Sequence, residues 1–462
     1  MMSKKHALRL LTVSLLFTVI GSLSAVSMMP QNFPSDPYRS EALLEQTDFF
    51  SPDSREDGDD VDFLEISLVT MGRGDPLYVW FGHTALVVTH TVTNRSVMYD
   101  YGIFSFSDDF YRTFALGRLF YEVWTTSAPA RYDLAREEDR TITSLSLSLA
   151  PDVKKALVQF LNYNIQEPQN TYLYHHYREN CSTRIRDILN AATDGQLKTW
   201  ATAIGAQATI RQLVNRHTYS DPLIYWVLNF LQSGCIDSPA SLWEAMFLPA
   251  VLEEAVAEFS YTDRNGTVTA LAESEETLYT ATAGIRAETA TENISLTGKF
   301  ALIALAAALL SIMSGRLMPK SRFTTIRRTG MFVYGLFTLS WTLAGGLLAT
   351  LLLFMMAFSS HDVTYFNENI VFVSPWLLIM SVQIIRGLRG NQTAMSRFRR
   401  ANTALAILAL ALVVMKGVLN QVLIQDNWLI LVTMVPLYVA NSTIDFERIT
   451  RWGVPKIDDA EA

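Results

Sequence analysis

Cysteine is nearly absent from this chain: among 462 residues only Cys181 and Cys235 carry a thiol. The thiol framework is therefore at most one disulfide. Charge is scarce as well, at 18% of residues, and acidic side chains outnumber basic ones for a net charge of -8. No basic stripe runs through the part that reads as soluble, which argues against a nucleic-acid partner. Histidine is limited to seven residues. Internal repeats and low-complexity tracts are missing.

Apolar residues, in contrast, make up half of the chain, and the mean hydropathy is +0.18. They are distributed unevenly. Up to about Ser295 the sequence is that of a soluble protein, and most of the apolar excess lies beyond Thr297. The length exceeds one ordinary core, so at least two folding units are expected. Lys4, Lys5 and His6 precede an apolar run from Ala7 to Met29, which is an export signal, either a signal peptide or an N-terminal anchor. Small residues at Ser22, Ser24, Ala25 and Ser27 favour cleavage. Residues 30–60 read as a loosely ordered linker.

Five apolar runs follow, at Leu296–Ser314, Met331–Phe358, Ile370–Ile385, Ala404–Val422 and Trp428–Val439. Most approach the ~20 residues that span a bilayer, and the last is short. Basic residues crowd the first connection (Arg316, Lys320, Arg322, Arg327, Arg328), the third (Arg386, Arg389, Arg397, Arg399, Arg400) and the tail. Lys and Arg are absent from residues 359–369 and from Gln425-Asp426-Asn427. Positive loops stay cytoplasmic, so the segment before Leu296 is expected outside, as the export signal independently requires. The domains expected are the signal or anchor (1–29), the linker, a soluble domain (61–260), a juxtamembrane segment (261–295), a helical bundle (296–443) and a cytoplasmic tail (444–462).

Within the soluble part, Phe63–Val69, His83–Thr89, Val97–Asp100 and Arg140–Leu147 read as strands. A helix opens at Pro151, another has Asn180 as N-cap, and residues 223–231 and 242–257 look helical. The fold class is α+β. Cys181, just after Asn180, lies where a helix N-terminus stabilises a thiolate, the species that attacks a carbonyl. The alternative is a structural disulfide with Cys235. Of the histidines, His83 follows Gly82 at the start of a strand, and rigid backbone there holds its ring as a base would require. A lone histidine is more often a hydrogen-bonded core residue.

Several blocks resemble a known family. Phe81-Gly82-His83-Thr84-Ala85-Leu86, Tyr99-Asp100-Tyr101-Gly102, Phe114-Ala115-Leu116-Gly117 and Asn180-Cys181-Ser182-Thr183-Arg184-Ile185-Arg186-Asp187 look like the Lnb-type N-terminal periplasmic domain. Met246-Phe247-Leu248-Pro249 resembles its closing segment, and His361–Asn369 its membrane loop. Members are bacterial lipoprotein N-acyltransferases or their relatives. The order of histidine on a strand and cysteine on a later helix is similar to permuted papain-like thiol enzymes such as lecithin:retinol acyltransferase. The resemblance implies Cys181 as nucleophile and His83 as general base. It implies a phospholipid acyl donor, a diacylated lipoprotein acceptor, no cofactor or metal, and the bacterial inner membrane as the location.

Asp100 is the candidate for orienting the imidazole, although a hairpin centred on Asn94-Arg95 would set it nearer Thr89 than His83. Arg184, Arg131 and His361 are candidates for a phosphate head group. Backbone N–H groups at the start of the Cys181 helix are candidates for an oxyanion. Trp243, Met246 and Phe247 suit either an acyl entrance or core packing. Two other readings stay open: a thiol hydrolase acting on cell-wall peptides, and a non-enzymatic membrane module.

Overall fold

The computed structural model describes residues 61–104, 110–282, 296–419 and 423–444, with a few positions between 43 and 50. The export signal, most of the linker and the cytoplasmic tail lie outside the described residues. The chain divides into two units. One contains residues 61–220 and 239–282, the other residues 221–238, 296–419 and 423–444.

The first unit is an α/β domain on a seven-stranded antiparallel sheet. In chain order the strands are β1 (Leu64–Met71), β2 (His83–His90), β3 (Arg95–Ile103), β4 (Phe120–Ser127), β5 (Ile142–Leu147), β6 (Thr171–Leu173) and β7 (Ala272–Tyr279). Across the sheet they run β7-β5-β1-β2-β3-β4-β6. The central strands are buried on both faces, so they read as apolar runs. Along β1 and β2, Ile66, Leu68, Leu86 and Val88 join the larger core, whereas Val69, Met71, Ala85 and Val87 join a smaller one. Helices α1 (Ala128–Glu137), α2 (Pro151–Asn164) and α3 (Cys181–Ala192) cover the sheet. Ala128 and Ala135 of α1 face the smaller core, and Ile185, Ile188 and Leu189 of α3 face the larger.

Three differences from the sequence reading concern this unit. The expected helix 242–257 is two helices, Leu242–Ala245 and Pro249–Glu258, because Pro249 cannot continue the first and opens the second. Residues 272–279, read as juxtamembrane, form the edge strand β7 paired with β5. The hairpin between β2 and β3 closes at His90 and Arg95, with Asn94 in the left-handed region at φ 53°. Its turn is centred on Val92-Thr93, two residues before Asn94-Arg95, so Asp100 pairs with Ala85 and not with Thr89.

The second unit holds four helices long and apolar enough to cross a membrane: Leu296–Lys320, Thr324–Phe358, Asn369–Leu388 and Gln392–Val418. The fifth expected span, Trp428–Ser442, is a 15-residue helix with Pro436 inside it and falls short of bilayer length. Gln392–Val418 begins well before Ala404, so Arg397, Arg399 and Arg400 lie on the helix and not in a loop. Leu302, Ile303, Phe332, Leu336, Leu347, Ile407 and Leu410 project outward, the arrangement of a bundle in an apolar solvent. The helix Pro222–Leu231, expected in the soluble domain, belongs to this unit. Asn367 Nδ2 donates to the carbonyls of Phe230 and Leu231, Asn369 Nδ2 to those of Asn229 and Phe230, and Gln425 Nε2 to that of Gln232. These side chains satisfy the last carbonyls of that helix, which would otherwise be orphaned in a buried place. Glu368 completes the cluster by pairing with Lys416 at 2.5 Å.

Candidate active site

Two pieces of local structure present the reactive groups. Asn180 caps α3: its Oδ1 accepts from the backbone N–H of Ser182 and of Thr183, each at 2.9 Å, while Thr183 Oγ1 accepts from Asn180 N–H at 2.8 Å. Asn180 Nδ2 donates to the carbonyls of His176 and Phe247, and Ser182 Oγ donates to that of Met246. The start of the helix is thereby fixed, with Cys181 at its first position and partly exposed. At the other piece, Gly82 has φ +79° and lies 3.2 Å, at the position a Cβ would take, from the Met71 carbonyl. Only glycine fits that approach, and it delivers His83 to the first position of β2.

Strand register supplies the third group. Asp100 sits opposite Ala85, so its side chain lies on the same face as that of His83 two residues earlier on β2. His83 Nε2 and Asp100 Oδ1 are 2.5 Å apart. Arg131 of α1 donates from Nε to Asp100 Oδ2 at 2.9 Å. The carboxylate is fully buried and both oxygens are engaged.

The His83 ring and the backbone N–H of Thr84 both act on the Cys181 thiol. Burial alone would disfavour a thiolate, yet the imidazolium and the Thr84 N–H bring the thiol below its usual range. Burial likewise opposes the imidazolium, but the Asp100 carboxylate and the Cys181 thiolate raise His83 from 6.5 to about 9. Burial also works against the Asp100 charge, which His83 and Arg131 hold below the ordinary carboxylate range. The three groups support one another: the carboxylate favours the imidazolium, and the imidazolium favours the thiolate.

The structure brings Cys181, His83 and Asp100 together, and Arg131 joins them in a role other than the expected one. Arg131 is the partner of Asp100 and not a head-group ligand. Arg184 is also not exposed to a head group: it is 1% exposed, lies 3.2 Å from Glu179 and stacks 4.1 Å over the Tyr172 ring. His361 belongs to the other unit. Cys181 is a free thiol, and Cys235 belongs to the other unit. Trp243, Met246 and Phe247 are buried, and their carbonyls hold Arg186, Ser182 and Asn180, so they pack and position α3 and do not line an entrance. The cap takes the N–H groups of Ser182 and Thr183, which removes them as oxyanion donors.

Aromatic rings near the thiol escaped the sequence reading. Tyr121 stacks on Tyr174 at 4.2 Å and on Phe104 at 5.0 Å. Tyr172 and Tyr174 both lie within electrostatic reach of Cys181. Their spacing of two, just ahead of the cysteine block, is the strand periodicity that would have placed both on one face. The described residues gather no cluster of three or more His, Cys, Asp or Glu side chains fit to hold a metal ion.

Residues 53–216 match the Lnb N-terminal periplasmic domain, and the match includes His83, Asp100, Arg131 and Cys181. No curated protein and no solved structure matches the chain.

Proposed function

We propose, taking the domain matched at residues 53–216 as an Lnb-type periplasmic domain, that this chain is a membrane-bound thiol acyltransferase. Its substrates are a phospholipid acyl donor and the N-terminal amine of a diacylated lipoprotein, and it works at the outer face of the bacterial inner membrane. The observation that carries the reading is the line of Cys181, His83 and Asp100, in which a buried carboxylate holds an imidazolium against a thiolate. The order of histidine strand and later cysteine helix also suits a permuted papain-like arrangement. Four apolar helices support a membrane location, and both proposed substrates are lipid-anchored.

The chemistry is ping-pong. The Cys181 thiolate attacks the acyl ester carbonyl, the ester C–O bond breaks, and His83 gives its proton to the departing lysophospholipid alkoxide. The acceptor amine then attacks the thioester, His83 takes a proton from it, and the thiolate leaves. Asp100 holds the ring through both transfers. Arg131 keeps Asp100 ionised and in place.

Intact mass of the purified protein incubated with phospholipid tests this, beside Cys181→Ser and His83→Ala. An acyl-sized increment on the wild type alone, discharged by a diacylated lipopeptide amine, is expected. An increment that water discharges as fast as the amine would instead assign hydrolysis, and no increment would sink the reading.

A further inference from the structure

An acyl transfer through Cys181 needs a hydrogen-bond donor for the oxygen that becomes negative when sulfur adds to the carbonyl. The Asn180 cap has already claimed the Ser182 and Thr183 N–H groups, and the Thr84 N–H acts on the thiol. Besides the Cys181 N–H at the start of α3, a donor has to come from elsewhere in the same pocket.

Gly102 marks the place. The pairing of β3 with β4 runs from Tyr101–Val123 to Ile103–Glu122, so Gly102 is the extra residue of a β-bulge. Its φ is +96°, in the region that glycine alone adopts freely. The missing side chain leaves an atom-sized hollow. A Cβ built there would have no neighbour closer than 3.8 Å, and the three nearest atoms are the Tyr172 hydroxyl oxygen at 3.8 Å, Cys181 Cβ at 3.9 Å and Tyr121 Cδ2 at 3.9 Å. One point of open space is thus bounded by the nucleophilic residue, a phenol and a ring edge.

The phenol is unusual among the buried polar groups. Tyr172 is fully buried, and its hydroxyl has no hydrogen-bond partner among the described residues. Burial, with the Cys181 thiolate nearby, keeps the phenol protonated well past the ordinary tyrosine range, so it stays a donor throughout the working pH. The ring is fixed by its place in β6, opposite Tyr121, and by the Arg184 guanidinium 4.1 Å over its face. Leaving a buried O–H unsatisfied costs stability in the resting state, and a catalytic role is one reason for such a group to persist. A donor idle in the resting state and engaged only when charge develops lowers the barrier without tightening ground-state binding.

We infer that the hollow at the Gly102 bulge is the oxyanion pocket of Cys181, and that the Tyr172 hydroxyl is its hydrogen-bond donor. This rests on Cys181 being the acyl carrier. The carbonyl oxygen of a carboxylic ester enters the hollow, accepts from Tyr172 as the tetrahedral adduct forms, and is released when the C–O bond of the leaving group breaks.

The test uses the full chain in detergent with Cys235→Ser as background, because Cys235 is an exposed second cysteine. Tyr172→Phe removes one oxygen and keeps the ring. Acylation by p-nitrophenyl butyrate is followed as nitrophenolate release and as mass gain on Cys181. Alkylation by iodoacetamide is followed in parallel, since displacement at a saturated carbon develops no oxyanion. The expected result is acylation slowed by about 10²-fold at unchanged half-saturation, the loss typical of one oxyanion donor. Alkylation stays within about twofold of the background, as thiolate formation belongs to His83 and Asp100. Acylation at the background rate overturns the assignment, and so does an equal fall in both assays, which would make Tyr172 a support for the thiolate. A Cys235→Ser protein that takes up no acyl group from the ester removes the acyl-carrier reading and this inference with it.

Discussion

The charge state of Cys181 should depend on a carboxylate it does not touch. In Asp100→Asn the ring of His83 keeps a neighbour of the same shape but loses the anion 2.5 Å from Nε2. The shift of His83 from 6.5 to about 9 corresponds to roughly 3 kcal/mol in favour of the imidazolium. Burial acts in the other direction, so without Asp100 the ring is expected to be neutral at pH 7. A neutral imidazole no longer holds a thiolate beside it. At its ordinary value of 9.0, only about one Cys181 thiol in a hundred is ionised at pH 7, so alkylation should slow by up to about 100-fold. The assay is iodoacetamide mass gain against pH in the Cys235→Ser background. The parent should react well below pH 9, and Asp100→Asn should follow the titration of an ordinary or buried thiol. Equal rates at pH 7 with coincident profiles would refute the electrostatic chain from Asp100 through His83 to Cys181.

Other perturbations follow from the same geometry. His83, raised from 6.5 to about 9, takes up a proton on folding, while Cys181, lowered from its ordinary value, gives one up, so their contributions to the pH dependence of stability offset each other. Cys181→Ser leaves the raised His83 alone, and its stabilisation, complete below pH 6.5, is lost as pH rises through the folded value; thermal unfolding at pH 6.5 and 9 should diverge in this variant only. Asn180→Ala removes the cap and two bonds to the carbonyls of His176 and Phe247, and should cost about 2 kcal/mol or more in denaturant unfolding of the first unit. In the second unit Glu368→Gln leaves Lys416 without its anion in a place only 17% exposed, with an expected loss of about 3 kcal/mol. Glu368→Gln combined with Lys416→Met should recover part of that loss, and a double variant no better than the single would refute the pairing.

Much of this fold was legible because its signals are local. Strands β1, β2, β3 and β5 carry apolar runs bounded by turn residues, and α2 and α3 announce themselves by Pro151 and Asn180. Strand β4 was missed because Phe120, Glu122 and Trp124 alternate with Tyr121 and Val123 without a clean apolar face, Phe120 and Trp124 being exposed. Strand β6 has three residues and exists only because β4 pairs with it. Strand β7, Ala272–Tyr279, is an edge rich in Glu and was hidden by its polarity. In the second unit, hydropathy located the long apolar helices but could not say that the fourth begins inside its basic stretch.

The site shows a sharper division between what residue type reveals and what only register decides. A cysteine after a capping Asn and a histidine after a strained Gly each carry their meaning in two or three residues. Asp100 depended on the length of the β2–β3 turn: one more residue on either side would have turned its carboxylate to the opposite face, away from His83. Arg131 and Arg184 look alike in sequence, two arginines near the site, and their environments separate them. Arg131 reaches a buried carboxylate that must stay charged for the imidazolium to persist, whereas Arg184 is enclosed by Glu179 and the rings of Tyr101 and Tyr172. The thiolate therefore draws on a chain of charges of alternating sign, Arg131, Asp100, His83 and Cys181, contributed by α1, β3, β2 and α3. Only β2 and β3 are joined by a short turn; α1 and α3 arrive from elsewhere in the chain, so the four charges meet only once the sheet and its helices have closed together.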